Sequence, residues 1–376
     1  MRLFRRGPRR VELKRPPVSS ASPRILIVRL SSIGDLLRFL PLASTLKRRY
    51  PAAHVTWAVG SRCKDVVEMS MDVDEVLVID ADPLSPRRSW LPALLQFAPK
   101  LWRRRYDVAI DAHSTPLSAS IVALSRTGRR LGIDKPNILN IRLFPYQALD
   151  VQSATPIDYH LSVLRFFDVQ LENVVVDNRL DPGTEARRTV RELVVSREPA
   201  HKPLVAIHHD TSLKSKRWEA EKFSALANQL ARETESRVMV IGEEPSERFR
   251  VIQQQCDPEI ICRHGFSLRE LAAFFEGCDL VIAQESGPLH LAAALGRPTV
   301  GIFGPSDPSI HTPYGDLHRT VRKGVSCSPC FRGFEFFFTC PLRTMECLTS
   351  LQVDEVAKVA KQALWDFDSI SKYRQS

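Results

Sequence analysis

Short apolar runs and amphipathic stretches alternate along this chain. Arg24–Leu30 is apolar and β-branched and reads as a buried strand. The stretch from Asp35 to Tyr50 has Leu36, Leu37, Leu40, Leu42 and Leu46 near helical spacing. It closes on Lys47-Arg48-Arg49 before Pro51, cations and a proline that stop a helix. Further strands are predicted at 54–59, 76–79 and 108–110. A second series begins at Pro203: strands at 204–207, 238–241, 280–283 and 299–303, and helices at 219–233, 246–255, 268–276 and 288–295. Short buried strands separated by helices predict parallel β-α-β units, hence an α/β protein. A last amphipathic helix is expected over 353–364.

The 376 residues suffice for two domains. The expected division is a tail and linker over 1–23, a first domain over 24–185, a hinge over 186–202 containing Pro199, a second domain over 203–350 and a terminal helical segment over 351–376. Open sheets of this kind bind ligands beyond the carboxyl ends of their strands. Two such domains facing each other would leave a cleft there.

Composition narrows the class. Hydrophobic residues make up 44% and charged residues 26%, ordinary for a folded chain. No apolar run approaches the roughly 20 residues of a membrane-spanning helix. The net charge is +10, and the first fifteen residues hold seven basic side chains against Glu12. Such an arm suits an anionic membrane surface or nucleic acid, and equally a solvated leader. It lacks the apolar core of a secretory signal, so a cytoplasmic location is expected. Cys327, Cys330, Cys340 and Cys347 form a C-x2-C-x9-C-x6-C pattern. Four thiolates can hold a structural zinc, but the second pair is not C-x2-C, and packed free thiols are the other reading.

Three loops carry candidate chemistry. In Arg29-Leu30-Ser31-Ser32-Ile33-Gly34-Asp35 a strand ends in a tight turn and an acid opens the next helix, as a helix-end charge or as a reactive carboxylate. In Gln284-Glu285-Ser286-Gly287-Pro288-Leu289-His290 a buried strand runs into a helix start whose free N–H groups suit a diphosphate, with His290 on the first turn. In His208–Trp218, hydroxyls at Thr211 and Ser212 stand near Lys216, a combination that suits phosphate.

These segments in this order, with Lys216-Arg217-Trp218 and Gly301-Ile302-Phe303-Gly304-Pro305-Ser306-Asp307-Pro308, resemble glycosyltransferase family 9, the ADP-heptose:lipopolysaccharide heptosyltransferases. The resemblance runs from about Arg24 to Leu364. It implies a GT-B fold, two Rossmann-like domains across a cleft, with the C-terminal helix packed back on the first. It implies inverting, metal-independent sugar transfer without a cofactor, from a nucleotide sugar such as ADP-heptose to a lipid-linked acceptor of the lipopolysaccharide inner core. Contact with the anionic inner face of the inner membrane follows, with no role for nucleic acid. Asp35 falls at the family's base position, with Ser31, Ser32, Gly34 and Arg38 on the acceptor side. Thr211, Ser212, Lys216, Phe266, Glu285, Ser286, Gly287 and His290 fall along the donor site, and Glu243 or Glu247 would meet the ribose. The chain departs from the family in having Gln284-Glu285 where Asp or Asn-Asp is usual. Two other classes stay open: a nucleotide-sugar epimerase on the same architecture, and a nucleic-acid-binding protein using the basic tail. Against the latter, Phe4 is the tail's only aromatic residue, and no RNA-binding or helix-turn-helix pattern occurs.

Overall fold

The structure, a computed structural model, describes residues 20–81, 90–133, 147–149, 160–171, 174, 176–194 and 202–375, except 331–338. The chain forms two compact units that divide between Arg179 and Leu180. The basic tail through residue 19 and the phenylalanines of 331–338 lie outside the described residues.

The first unit carries β1 (Arg24–Val28), α1 (Ile33–Arg49), β2 (His54–Gly60), α2 (Lys64–Glu68), β3 (Glu75–Ile79), α3 (Trp90–Trp102), β4 (Val108–Asp111), α4 (Pro116–Leu124), β5 (Arg130–Ile133) and β6 (Gln147–Leu149). Its six strands are parallel in the order β3-β2-β1-β4-β5-β6. β1 is apolar and buried from Ile25 to Val28 because helices cover both faces of a parallel sheet. On one face Leu26, Val28, Leu77 and Ala109 pack against Leu94, Phe97 and Leu101 of α3 and Leu117 and Ile121 of α4.

The second unit carries α5 (Thr184–Val194), β7 (Leu204–His208), α6 (Ala220–Thr234), β8 (Arg237–Gly242), α7 (Glu247–Gln255), β9 (Ile261–His264), α8 (Leu268–Glu276), β10 (Leu280–Gln284), α9 (Gly287–Ala294), β11 (Thr299–Phe303), α10 (Pro308–His311), β12 (His318–Arg322), α11 (Glu346–Thr349) and α12 (Val353–Gln375). Its sheet, also parallel, has the order β12-β11-β10-β7-β8-β9. Counted from the first strand of each unit, both sheets follow the doubly wound order 3-2-1-4-5-6. The order therefore reverses between β1 and β4 in one unit and between β7 and β10 in the other.

Two expectations are corrected. The stretch taken as hinge, 186–202, holds most of α5, whose Arg187 forms a two-pronged contact with Glu276 of α8, at 2.8 and 2.9 Å. Its prolines and polar residues suggested a linker, but the helix docks on the second unit through that pair. The C-terminal helix, expected against the first unit, contributes to the core of the second. Val356, Ala357, Ala360 and Ala363 of α12 enter the second unit's core beside Phe223, Leu226 and Leu230 of α6. The Val/Ala stripe is narrow, so the helix lies close against its neighbour.

Candidate active site

At the switch point of the first sheet, three segments meet on one buried cation. Arg29, the residue after β1, donates from Nη1 to the Ala112 carbonyl at 2.7 Å and meets Asp35 Oδ2 with Nη2 at 2.7 Å. Its guanidinium stands 4.7 Å above the Phe39 ring. Asp35 lies in the first turn of α1, where the helix N-terminus favours an anion, and its side chain is 38% exposed. Ser32 precedes that helix and, rather than capping it, donates its hydroxyl to the same Asp35 oxygen at 3.2 Å. Asp35 is thus an ion-paired carboxylate open to solvent, not a plain helix cap. Ser31, Gly34 and the buried Arg38 occupy the same turn and the next. Across the switch point, Asp111 ends β4 and its Oδ1 accepts the N–H groups of His113 and Ser114 at 3.0 and 2.8 Å. Burial raises the Asp111 carboxyl above the usual range, opposed by these N–H groups. The His113 ring in turn accepts the Leu30 N–H at 3.4 Å.

The second switch point is built in the same way. Gln284, buried at the end of β10, accepts the Trp218 N–H and donates to the His209 carbonyl, both at 2.5 Å. One amide thus ties the loop after β7 to the loop after β10. The next residue, Glu285, ion-pairs with Lys216, each side chain only 10% exposed. Ser306, after β11, donates its hydroxyl to the same Glu285 oxygen, and His311 stands 3.9 Å from the other. Ser286 precedes α9 but turns its hydroxyl back to the Gln284 carbonyl at 2.9 Å, leaving the helix start without a side-chain cap. Gly287 opens that helix, Pro288 follows, and the buried His290 completes the first turn. Of the candidates after β7, Thr211 is buried and Ser212 exposed.

Beyond β8 and β9, Asp210 accepts the Glu243 N–H at 2.8 Å, and the Gly265 N–H meets the Glu243 carbonyl at 3.1 Å. Partial desolvation and the negative charges of Asp210 and Glu244 raise the Glu243 carboxyl above its usual range. Phe266 follows, stacked on Phe274 with ring centroids 5.6 Å apart. Glu247 stands apart: exposed on the first turn of α7, it pairs with Arg250 at 3.1 Å. Among the described residues, no group of three or more His, Cys, Asp or Glu is arranged to hold a metal ion. Cys327, Cys330, Cys340 and Cys347 are free thiols; burial and the neighbouring cysteines push Cys347 up to about 11.

Sequence reasoning missed Arg29, Ser306 and His311 as partners of Asp35 and Glu285. Arg29 and Ser306 lie within three residues of a strand's carboxyl end, and that position was the available signal; His311, at the end of α10, carried none.

His208 and His209 give this edge a pH response. Burial lowers both from 6.5 to about 4, so both are neutral near pH 7. The unfolded chain binds protons that the folded chain refuses between those values. Stability is therefore full above pH 6.5 and falls as pH drops towards 4. The urea midpoint should be lower at pH 5 than at pH 7.5; an equal or higher midpoint would contradict the buried neutral rings.

The fold and these loops define a doubly wound, two-unit protein with candidate residues at the switch point of each sheet and, in the second, beyond β8 and β9. Glycosyltransferase family 9 (heptosyltransferase) matches residues 94–336, more than half of the chain, and the chain belongs to this family. It is a glycosyltransferase with the GT-B fold. Lipopolysaccharide heptosyltransferase 1 of Salmonella typhimurium is 26% identical over 318 residues, 81% of this chain and 94% of that protein. The family 9 glycosyltransferase of Veillonella parvula superposes with a TM-score of 0.79 at 21% identity, covering 92% of this chain and 98% of its own. The ADP-heptose lipopolysaccharide heptosyltransferase II of E. coli superposes at 0.72 and 19% identity, covering 92% and 99%. Of the three readings of the sequence, the family match selects the transferase. No helix among the described residues is long and apolar enough to cross a membrane.

Proposed function

We propose that this enzyme transfers heptose from ADP-heptose to a lipid-linked acceptor of the lipopolysaccharide inner core, with inversion. The observation that carries the chemistry is the pair of switch points, one presenting a carboxylate and the other a buried lysine at a helix start. Asp35 takes the proton of the acceptor hydroxyl as that oxygen attacks the anomeric carbon. Arg29 and Ser32 hold the carboxylate on one oxygen while this happens. Negative charge develops on the departing diphosphate. Lys216 and the N–H groups that open α9 meet it, and His290 lies within that first turn. Glu285, held by Ser306, keeps the lysine in place between turnovers. Thr211, Ser212 and Gly287 line the phosphate side, and Phe266 and Glu243 the nucleoside side. Glu243 suits the ribose better than Glu247, since it lies beside Phe266 at the sheet edge whereas Glu247 is turned to Arg250.

The donor reading is supported by the relatives, which include ADP-heptose and lipopolysaccharide enzymes in their names. No metal is assigned to the reaction, because the charge on the leaving group falls to Lys216 and the helix start. The acceptor is a lipid, so the work is done at the cytoplasmic, anionic face of the inner membrane, where the basic tail adds electrostatic attraction.

Calorimetry with ADP-heptose, UDP-glucose and GDP-mannose tests the donor, with transfer assayed with and without EDTA. ADP-heptose should bind at least about tenfold tighter than the others, a difference of about 1.4 kcal/mol. EDTA should leave the rate unchanged. Preference for a uridine or guanosine donor would overturn the assignment.

A further inference from the structure

Helix α3 carries an apolar surface that the fold does not use. Leu94, Phe97, Ala98 and Leu101 face the core. Leu91, Leu95, Pro99 and Trp102 recur at i, i+4, i+8 and i+11, which sets them in a second stripe beside the buried one. That stripe is open to solvent: Leu95 is 66% exposed, Leu91 53% and Trp102 51%. Trp90, at the helix start, is also exposed, so four of the eight large hydrophobic side chains exposed among the described residues belong to this one helix. Single exposed leucines need no explanation, but a continuous stripe does. The Trp102 indole N–H is already satisfied, donating to the Leu124 carbonyl at 3.1 Å, so what it turns outward is hydrocarbon.

The charge beside the stripe points to its occupant. Between Asp82 and Asp107 the chain has no acidic residue and six basic ones, Arg87, Arg88, Lys100, Arg103, Arg104 and Arg105. Arg103 and Arg105, which follow the helix directly beyond Trp102, are exposed, whereas Lys100 lies on the far side of the helix and with Arg24 and Arg103 lines a hollow of about 580 Å³. The acids of that hollow are already engaged, Glu75 by Arg104 and Asp74 by Lys47. An apolar stripe with exposed arginines beyond its C-terminal end and tryptophan at either end of the helix matches the headgroup boundary of an anionic bilayer.

We propose that α3 is the membrane-docking element of this enzyme. Leu91, Leu95 and Trp102 enter the headgroup boundary of anionic phospholipids, while Arg103 and Arg105 beyond the helix end meet the phosphates. This deepens the lipid-acceptor reading by naming the surface that reaches the bilayer, but its test reads vesicle binding and leaves transfer aside.

The full chain, the chain lacking residues 1–22 and the Leu91→Glu/Leu95→Glu/Trp102→Glu variant are sedimented with phosphatidylglycerol–phosphatidylcholine vesicles at low and high salt. The tail acts by charge alone, so its deletion should weaken binding at low salt only. The triple variant should lose about tenfold or more of its partitioning at both salts, because the apolar burial is not screened. Unchanged ADP affinity and circular dichroism in the variant establish that it is folded. A second measurement follows Trp102 directly in a Trp90→Phe/Trp365→Phe protein, since Trp57 and Trp218 are fully buried. Brominated lipid should quench its fluorescence, and Trp102→Phe should remove the quenched component. Equal sedimentation of the triple variant, or no quenching of Trp102 in vesicle-bound protein, would overturn the proposal. So would a wild-type dimer that the triple variant dissociates while vesicle binding stays the same, since the stripe would then be a subunit contact.

Discussion

Asp35→Asn should lower the rate of sugar transfer by about 10²–10⁴-fold, the usual effect of losing a general base. The amide oxygen still accepts from Arg29 and Ser32, so the side chain keeps its place and the helix its geometry. What is lost is a group able to take the acceptor's proton. Calorimetric affinity for the donor should stay within a fewfold of wild type, because the residues assigned to the donor belong to the other sheet. Single-turnover transfer with saturating donor separates the two quantities. A variant that keeps more than about a tenth of the wild-type rate would remove Asp35 from the role of base.

Lys216→Ala should act twice, and the two effects are separable. Binding of free ADP should weaken about tenfold or more, since a charge-assisted contact contributes roughly 1.5–3 kcal/mol. The fold should also lose about 3–5 kcal/mol, because Glu285 is left buried without its cation. Adding Glu285→Gln to Lys216→Ala removes the stranded charge while keeping an acceptor for the Ser306 hydroxyl. The urea midpoint should then recover most of its loss while ADP affinity stays low. Recovery of affinity together with stability would make Lys216 a structural partner of Glu285 and nothing more.

The central strands of both sheets were legible in the sequence because they are buried on both faces. Ile25–Val28, Leu204–Ile207 and Leu280–Ala283 have no polar side to conceal their pattern. The loops that follow were legible as chemistry, since Asp35, Lys216, Glu285 and His290 are residue types that a helix start or a phosphate explains. The outer strands of the second sheet were not. β9 reads Ile261-Cys262-Arg263-His264, and its exposed half breaks the apolar pattern that the inner strands keep. β12 alternates His318-Arg319-Thr320-Val321-Arg322 with only Val321 buried. Helix α5 lay hidden for a related reason: its polar surface is held by Arg187 and Glu276, a pair 89 residues apart that no local pattern reveals.

The local pattern of the chain by itself determined that parallel strands and helices alternate twice and where each series starts, because periodic burial is written residue by residue. Its motifs alone placed the candidate loops at strand ends and within one enzyme family. Only the tertiary structure decided which side chains answer one another there. Arg29 reaches Asp35 and Ala112, Gln284 joins His209 to Trp218, and Lys216 meets Glu285 across 69 residues of chain. It also decided that α12 serves the second unit. Such pairings depend on which strands lie side by side, and in both sheets the central pair, β1 with β4 and β7 with β10, is brought together by crossovers that no local spacing encodes.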